Sequence, residues 1–281
     1  FIMVLISNTT NQYLIGVDGT AYFSQSKDVI DAGAGYEPIR GKHTLMHSGD
    51  DEYFGTSFDS VGWDNVVSGN RGDDYLAGSW QAASRDFFRG GKDNDTLDGG
   101  IGGNDFIHGA WGDDDIWGSS DSSILRGGKG DDWIRGGNQR DLLMGAVGRD
   151  VLRGNGGGDF FMLRTDVTYD GYANLVSNTV EADRIVDFNA ADDYVIIPGV
   201  TSHDDVWYDV EGNDTVVKVW NGQDELIAGV IEGIAGVQNA WDPGITDARV
   251  IVGGLADQIN TETNSVEGFL NNPNLLYEFG F

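Results

Sequence analysis

The sequence predicts an all-β fold: a flattened spiral of very short strands, two nine-residue units to each 18-residue coil, with β caps at its ends. Three observations predict it. A nine-residue period runs without a slip from Gly109 to Met162. One position of every unit is apolar. Glycine supplies 43 of the 281 residues and proline only 4, which suits tight turns and excludes collagen.

The regular units are GAWGDDDIW, GSSDSSILR, GGKGDDWIR, GGNQRDLLM, GAVGRDVLR and GNGGGDFFM. Upstream the period continues with insertions. GNRGDDYLA starts at Gly69, Gly78 to Trp80 is inserted, QAASRDFFR starts at Gln81 and GGKDNDTLD at Gly90. GGIGGNDFIH at Gly99 has one extra residue. Fainter units are FSQSKDVID and AGAGYEPIR from Phe23, MHSGDDEYF from Met46 and DSVGWDNVV from Asp59.

Position 8 is apolar throughout the ten clearer units: Leu76, Phe88, Leu97, Ile107, Ile116, Leu125, Ile134, Leu143, Leu152 and Phe161. A period of nine matches neither a helix nor a heptad. One inward side chain per unit fits a very short strand. The glycines fit turns that need positive φ. Successive coils then stack about 4.8 Å apart, as neighbouring strands do.

The template G-G-x-G-x-D-x-U-x, with U apolar, resembles the RTX (repeats-in-toxin) calcium-binding family. The resemblance is strong over residues 69–162 and weak over 23–68. It implies a parallel β-roll and several Ca²⁺ ions as its cofactor.

Charge points to the same partner independently. Lys and Arg number 17 and Asp and Glu 46, a net charge of −29. Such a chain repels nucleic acid and anionic membrane and attracts cations. Position 6 is Asp in nine of the ten units: Asp74, Asp86, Asp95, Asp105, Asp114, Asp132, Asp141, Asp150 and Asp159. Ser123 is the exception. Stacking brings each Asp close to the Asp two units away, which like charge disfavours. A hard divalent cation relieves the conflict. Ca²⁺ accepts six to eight oxygens, backbone carbonyls included, whereas Mg²⁺ demands stricter geometry.

Alternate units fall on opposite edges. One edge holds the loops GNRGDD, GGKDND, GAWGDD, GGKGDD and GAVGRD. Its predicted metal residues are Asp74, Asp95, Asp114, Asp132 and Asp150, with Gly72, Gly112, Gly130 and Gly148 at position 4. Five loops leave four gaps between coils. The other edge carries Asp86, Asp105, Asp141 and Asp159, interrupted by Ser123, so fewer or weaker sites are expected there. Ca²⁺ at about ten times Kd adds roughly 1.4 kcal/mol per site. Four sites then rival the whole stability of a domain. Folding gated by Ca²⁺ is the expectation.

Position 7 should point outward. On the strands of the weaker edge it reads Phe87, Phe106, Ile124, Leu142 and Phe160. An unbroken apolar stripe implies a covered face, covered by this chain or by a neighbouring copy.

The organisation expected is N-terminal strands over 1–22, the roll over 23–162, a β capping region over 163–235 and a tail over 236–281. FIMVLIS and QYLIGVD read as paired strands that cap the roll or cover the stripe. VEADRIVDFNAADDYVIIPGV resembles the block after the last repeat in RTX proteins; turn roles suit its Asp183 and Asp187 better than metal binding. A roll end exposes strand edges and needs a cap. The terminal NLLYEFGF is read as a type I secretion signal, which the resemblance implies, or as a packed strand. The run Phe1 to Ile6 lacks the features of a signal peptide, and no apolar run reaches 18 residues.

Catalytic signatures are missing. Cysteine is absent, which excludes disulfides and thiolate chemistry. The histidines His43, His47, His108 and His203 form no HExxH, and there is no GxSxG elbow or Walker loop. The reading is a non-enzymatic, secreted, calcium-binding structural or cell-surface protein that self-assembles. Its rivals are the C-terminal secretion and folding module of a larger extracellular hydrolase, and a polysaccharide-binding or polysaccharide-modifying module using Tyr75, Trp111, Trp117 and Trp133.

Overall fold

The structure is a computed structural model. It describes residues 4–7, 12–15, 21–22, 29–31, 43–46, 48–55, 64–80, 83–163, 178–200, 202–220, 224–234 and 250–251. Among these the chain is all β, apart from a single 3-10 turn at His203–Asp205.

Two sheets face each other. The first runs, in spatial order, through Val4–Ser7, Gln12–Ile15, Ala21–Tyr22, His43–Leu45, Asn65–Ser68, Asp86–Lys92, Phe106–Trp111, Ile124–Lys129, Leu142–Val147, Phe160–Met162, Tyr194–Ile196 and Val250–Ile251. The second runs through Val29–Asp31, Glu52–Phe54, Tyr75–Ala77, Thr96–Asp98, Asp115–Trp117, Trp133–Arg135, Val151–Arg153, Arg184–Ile185, Glu225–Ile231, Asp214–Trp220 and Val206–Glu211. Successive coils pair in parallel. Phe106 stands beside Ile124, Ile124 beside Leu142 and Leu142 beside Phe160, each step 18 residues. The expected parallel β-roll is the fold.

The ten position-8 side chains are all fully buried and fill the space between the sheets. Leu97, Ile116 and Ile134 stack rung on rung along the second sheet, and Ile107, Leu125 and Leu143 along the first. Each such burial contributes about 1.5–3 kcal/mol, which is why this one position tolerates no polar residue in the regular coils.

The faint units are shifted or replaced. In the stretch from Asp59 it is Val67, not Val66, that stands beside Phe88, so Asn65 occupies the Asp level next to Asp86. Two adjacent valines made the register ambiguous. Where AGAGYEPIR suggested Ile39 at position 8, the strand of that coil is His43–Leu45, with Thr44 beside Val67; Ile39 lies outside the described residues.

The roll does not stop at Met162. Arg184–Ile185 pairs with Val151–Arg153, and Tyr194–Ile196 pairs with Phe160–Met162. One further coil follows, with Ile185 and Val195 in the core. Its spacing from the last repeat broke the period and hid it. Beyond it, Val206–Glu211, Asp214–Trp220 and Glu225–Ile231 form an antiparallel meander whose last strand joins Arg184–Ile185 in parallel. At the other end Val4–Ser7 and Gln12–Ile15 pair antiparallel, as read, and extend the first sheet. These additions occupy strand edges that would otherwise be open.

The apolar stripe of Phe87, Phe106, Ile124, Leu142 and Phe160 is covered within the chain, each residue 9% exposed or less. Phe87 stacks on Phe106 and Phe160 on Tyr194, both at 5.0 Å, and the Arg140 guanidinium lies 5.7 Å above Phe160. The stripe therefore offers a second copy no free surface, which corrects the expectation of self-association through it.

Candidate metal centre

Each loop of the predicted stronger edge links a first-sheet strand to a second-sheet strand in a few residues. Two positions turn left-handed. Position 4 is Gly72, Gly112, Gly130 and Gly148, at φ of 112°, 134°, 129° and 141°, while Asp93 holds φ 77° in their place. Position 2 is left-handed as well, at Asn70, Gly91, Ala110, Gly128 and Ala146. A side chain at position 4 would strike the coil below: a Cβ on Gly130 would lie 2.1 Å from the carbonyl oxygen of Gly112. Gly130→Ala should therefore lower stability in calcium by about 1–3 kcal/mol, as read by thermal unfolding. An unchanged melt would show that the loops are not packed as described.

Position 6 forms a ladder. The Asp51 backbone N–H donates to Asp74 Oδ1 at 2.8 Å, Asp74 N–H to Asp95 Oδ1 at 2.9 Å and Asp95 N–H to Asp114 Oδ1 at 2.8 Å. Asp114 N–H donates to Asp132 Oδ1 at 2.9 Å, Asp132 N–H to Asp150 Oδ1 at 2.9 Å and Asp150 N–H to Asp183 Oδ1 at 3.1 Å. One oxygen of each carboxylate is thus satisfied. The other is not: Oδ2 of Asp74, Asp95, Asp114 and Asp132 is buried and has no hydrogen-bond partner among the described residues. It lies against the position-1 glycine of its own loop, where a Cβ would stand about 2 Å away at Gly69, Gly90, Gly109 and Gly127. This explains the first glycine of the template.

Burial pushes these carboxyls up, to about 7 for Asp74, about 9 for Asp95, about 7 for Asp114 and about 8 for Asp132. The backbone N–H donors pull each value back, and neighbouring carboxylates raise it again. A buried carboxylate with an unsatisfied oxygen is costly and has two remedies, a proton or a cation.

A second, exposed ladder runs beside the first at position 5. Asp73 N–H donates to Asp50 Oδ1, Asn94 N–H to Asp73 Oδ1, Asp113 N–H to Asn94 Oδ1 and Asp131 N–H to Asp113 Oδ1. It ends at Arg149, whose N–H donates to Asp131 and whose guanidinium pairs with it at 3.1 Å. Among the described residues no three His, Asp or Glu side chains converge on one point. A cation here would take most of its oxygens from the loop carbonyls, with the carboxylates as the charged minority. That donor set is hard oxygen only, which suits Ca²⁺.

The other edge differs in the respect that matters. Asp86 N–H donates to Asp105 Oδ1 at 2.8 Å, Asp141 N–H to Asp159 Oδ1 at 2.9 Å and Asp159 N–H to Asp193 Oδ1 at 2.8 Å. Ser123 N–H donates to Asp141 Oδ1, but Ser123 has no carboxylate to offer in return, and the ladder breaks there. Three of the second oxygens are met by protein, Asp86 Oδ2 by the Ser84 hydroxyl at 2.8 Å, Asp141 Oδ2 by Gly137 N–H at 2.6 Å and Asp193 Oδ2 by Asn189 N–H at 2.7 Å, while Asp105 Oδ2 is buried with no partner among the described residues. Position 5 carries Arg85, Asn104, Ser122, Arg140 and Gly158 in place of the acids. At its N-terminal end Asn65 donates its amide to Asp86 Oδ1, a neutral rung.

The structure thus brings Asp74, Asp95, Asp114, Asp132 and Asp150 together with Gly72, Gly112, Gly130 and Gly148. It places Asp86, Asp105, Asp141 and Asp159 on the opposite edge. Missed in the sequence were Asp51, Asp183 and Asp193 as rungs. Asp51 was legible as position 6 of MHSGDDEYF; Asp193 follows a broken period, and Asp183, read as a turn residue, instead accepts from Asp150 N–H as a rung. Asp187 accepts from Gly154 and Asn155 N–H of the preceding coil, each at 2.9 Å, a bond between coils. His108 is partly buried beside Arg126 and Arg89, and its pKa is lowered first by burial and then by those cations.

Comparison with known families agrees with this geometry. The family model of the RTX calcium-binding nonapeptide repeat (4 copies) matches residues 64–82, 83–102, 102–125, 117–152 and 126–161. No curated protein matched the chain. Residues 64–161 are RTX calcium-binding nonapeptide repeats, stacked here as a parallel β-roll.

Proposed function

We propose that Ca²⁺ ions occupy the gaps between successive loops of the stronger edge, and that their binding drives folding of the roll. The observation that carries this is the row of buried Oδ2 atoms on Asp74, Asp95, Asp114 and Asp132 with no hydrogen-bond donor among the described residues. Four such oxygens in one line need positive charge, and the loop carbonyls beside them supply the rest of a hard-cation shell. The residues named for these sites are Asp74, Asp95, Asp114, Asp132 and Asp150, with Gly72, Gly112, Gly130 and Gly148 shaping the loops. Sites on the opposite edge, at Asp105 and Asp159, are weaker because protein donors already serve their neighbours.

Function follows from this gating. Where calcium is scarce the chain stays extended and passes an export channel; outside, at millimolar calcium, it stiffens. The chain acts as an extracellular, non-catalytic structural module at a cell surface or in a matrix. Calcium titration of the metal-free chain at pH 7.5, followed by circular dichroism and closed by metal analysis, tests it. A gain of β signal with several Ca²⁺ bound per chain is expected, and Mg²⁺ should not replace it. An unchanged spectrum, or no retained calcium, would sink the proposal.

A further inference from the structure

A cavity of about 490 Å³ opens on the outer face of the first sheet. Its lining includes Ser68, Asn70, Arg71, Arg89, Lys92 and Trp111. Ser68 and Arg89 follow the inward residues Val67 and Phe88, so alternation turns them outward. Arg71, Lys92 and Trp111 hold the same loop position in three successive coils, which stacks them in one row.

Several cations elsewhere sit with acids: Arg149 with Asp131, Arg153 with Asp187, Arg184 with Asp214 and Glu232, Lys218 with Asp209 and Glu225. Arg135 lies instead on the rings of Trp117 and Trp133. Among the described residues Arg71, Arg89 and Lys92 have no carboxylate partner, although the chain carries 46 acids to 17 cations. Trp111, half exposed, fixes two ammonium groups, with Lys92 and Lys129 at 4.8 and 4.9 Å from its ring centroid. Three unpaired cations in a concave site call for an anion.

We propose that this cavity binds an acidic sugar of the uronate class, as a segment of an extracellular polysaccharide. The guanidinium forks of Arg71 and Arg89 match a carboxylate. Ser68 and Asn70 face the hydroxyls, and the exposed edge of Trp111 meets the apolar C–H face. A uronate spaces its charges with hydroxyl-bearing carbons. Nucleic acid carries a denser line of phosphates, which the acidic row Asp50, Asp73, Asp113 and Asp131 beside the cavity repels.

Isothermal titration of the full chain in calcium with a short oligogalacturonate tests this. The methyl-esterified oligomer serves as neutral control and single-stranded DNA as the competing polyanion. The oligogalacturonate should bind and the ester should not. The double variant Arg71→Ala with Lys92→Ala should weaken binding at least about tenfold, with its calcium-dependent circular dichroism unchanged because both side chains are exposed. Full binding by that variant would show that calcium bridges sugar to the carboxylate ladders instead. That result, equal binding of the ester, tighter binding of DNA, or no binding of the uronate would each overturn the site.

Discussion

Stripped of calcium, the roll should be unfolded at pH 8 and folded at pH 5. The carboxyls of Asp74, Asp95, Asp114 and Asp132 are raised from 3.8 to between about 7 and about 9 in the folded state. Asp141 on the other edge is raised to about 8 and Asp159 to about 7, again by burial first. Raised acids hold protons that the unfolded chain has released. Their stabilising contribution is complete below 3.8 and is lost as pH climbs through 7 to 9. The net charge of −29 acts in the same direction, because self-repulsion grows as carboxyls ionise. Calcium substitutes for the protons. At about ten times Kd, four gaps contribute about 6 kcal/mol, enough to restore folding at pH 8. Proton and calcium compete for the same oxygens, so calcium affinity should drop with each step below neutral pH. Circular dichroism across pH 4 to 9 with a chelator present reads this directly. A metal-free chain that gains structure as pH rises would contradict the assignment of those rungs.

The second large effect separates the two edges. Asp114→Asn with Asp132→Asn borders three gaps of the stronger ladder and should remove about 4 kcal/mol of calcium-dependent stabilisation. In chelator at pH 8 the same variant should be more stable than the parent, since two buried charges become neutral amides. Nature already uses that rung at Asn65, whose amide meets Asp86. The matching change on the other edge, Asp86→Asn with Asp141→Asn, should leave the calcium response almost intact. Those carboxylates take their second hydrogen bond from Ser84 and Gly137, and losing such bonds costs about 1–3 kcal/mol whether or not calcium is present. Denaturant unfolding at several calcium concentrations distinguishes the two. Equal loss of calcium response from both pairs would remove the distinction between the edges.

Much of this was readable along the chain. Position 8 named ten core residues because a side chain between two sheets 18 residues per coil apart must be apolar every time. Position 6 named nine rungs, and all of them stack. The register of Val66 and Val67 was not readable, because either valine fills the core and only pairing with Phe88 chooses. Ile185 and Val195 were invisible as a further coil because the loop before them breaks the nine-residue phase, while the strand pairing that places them acts through space.

Composition and period alone determined that this chain is a spiral of short strands with acid at every turn and a need for cations. Those properties repeat locally, so they survive without knowledge of what lies nearby. Tertiary structure alone decided which acids stay unsatisfied. Asp114 and Asp141 occupy the same place in the same template, yet among the described residues one lacks a donor for its second oxygen and the other has Gly137 N–H at 2.6 Å. It likewise decided that the aromatic stripe is covered and that Arg71, Arg89 and Lys92 share a cavity. Such outcomes depend on which groups from distant coils meet, and a one-dimensional pattern does not carry that.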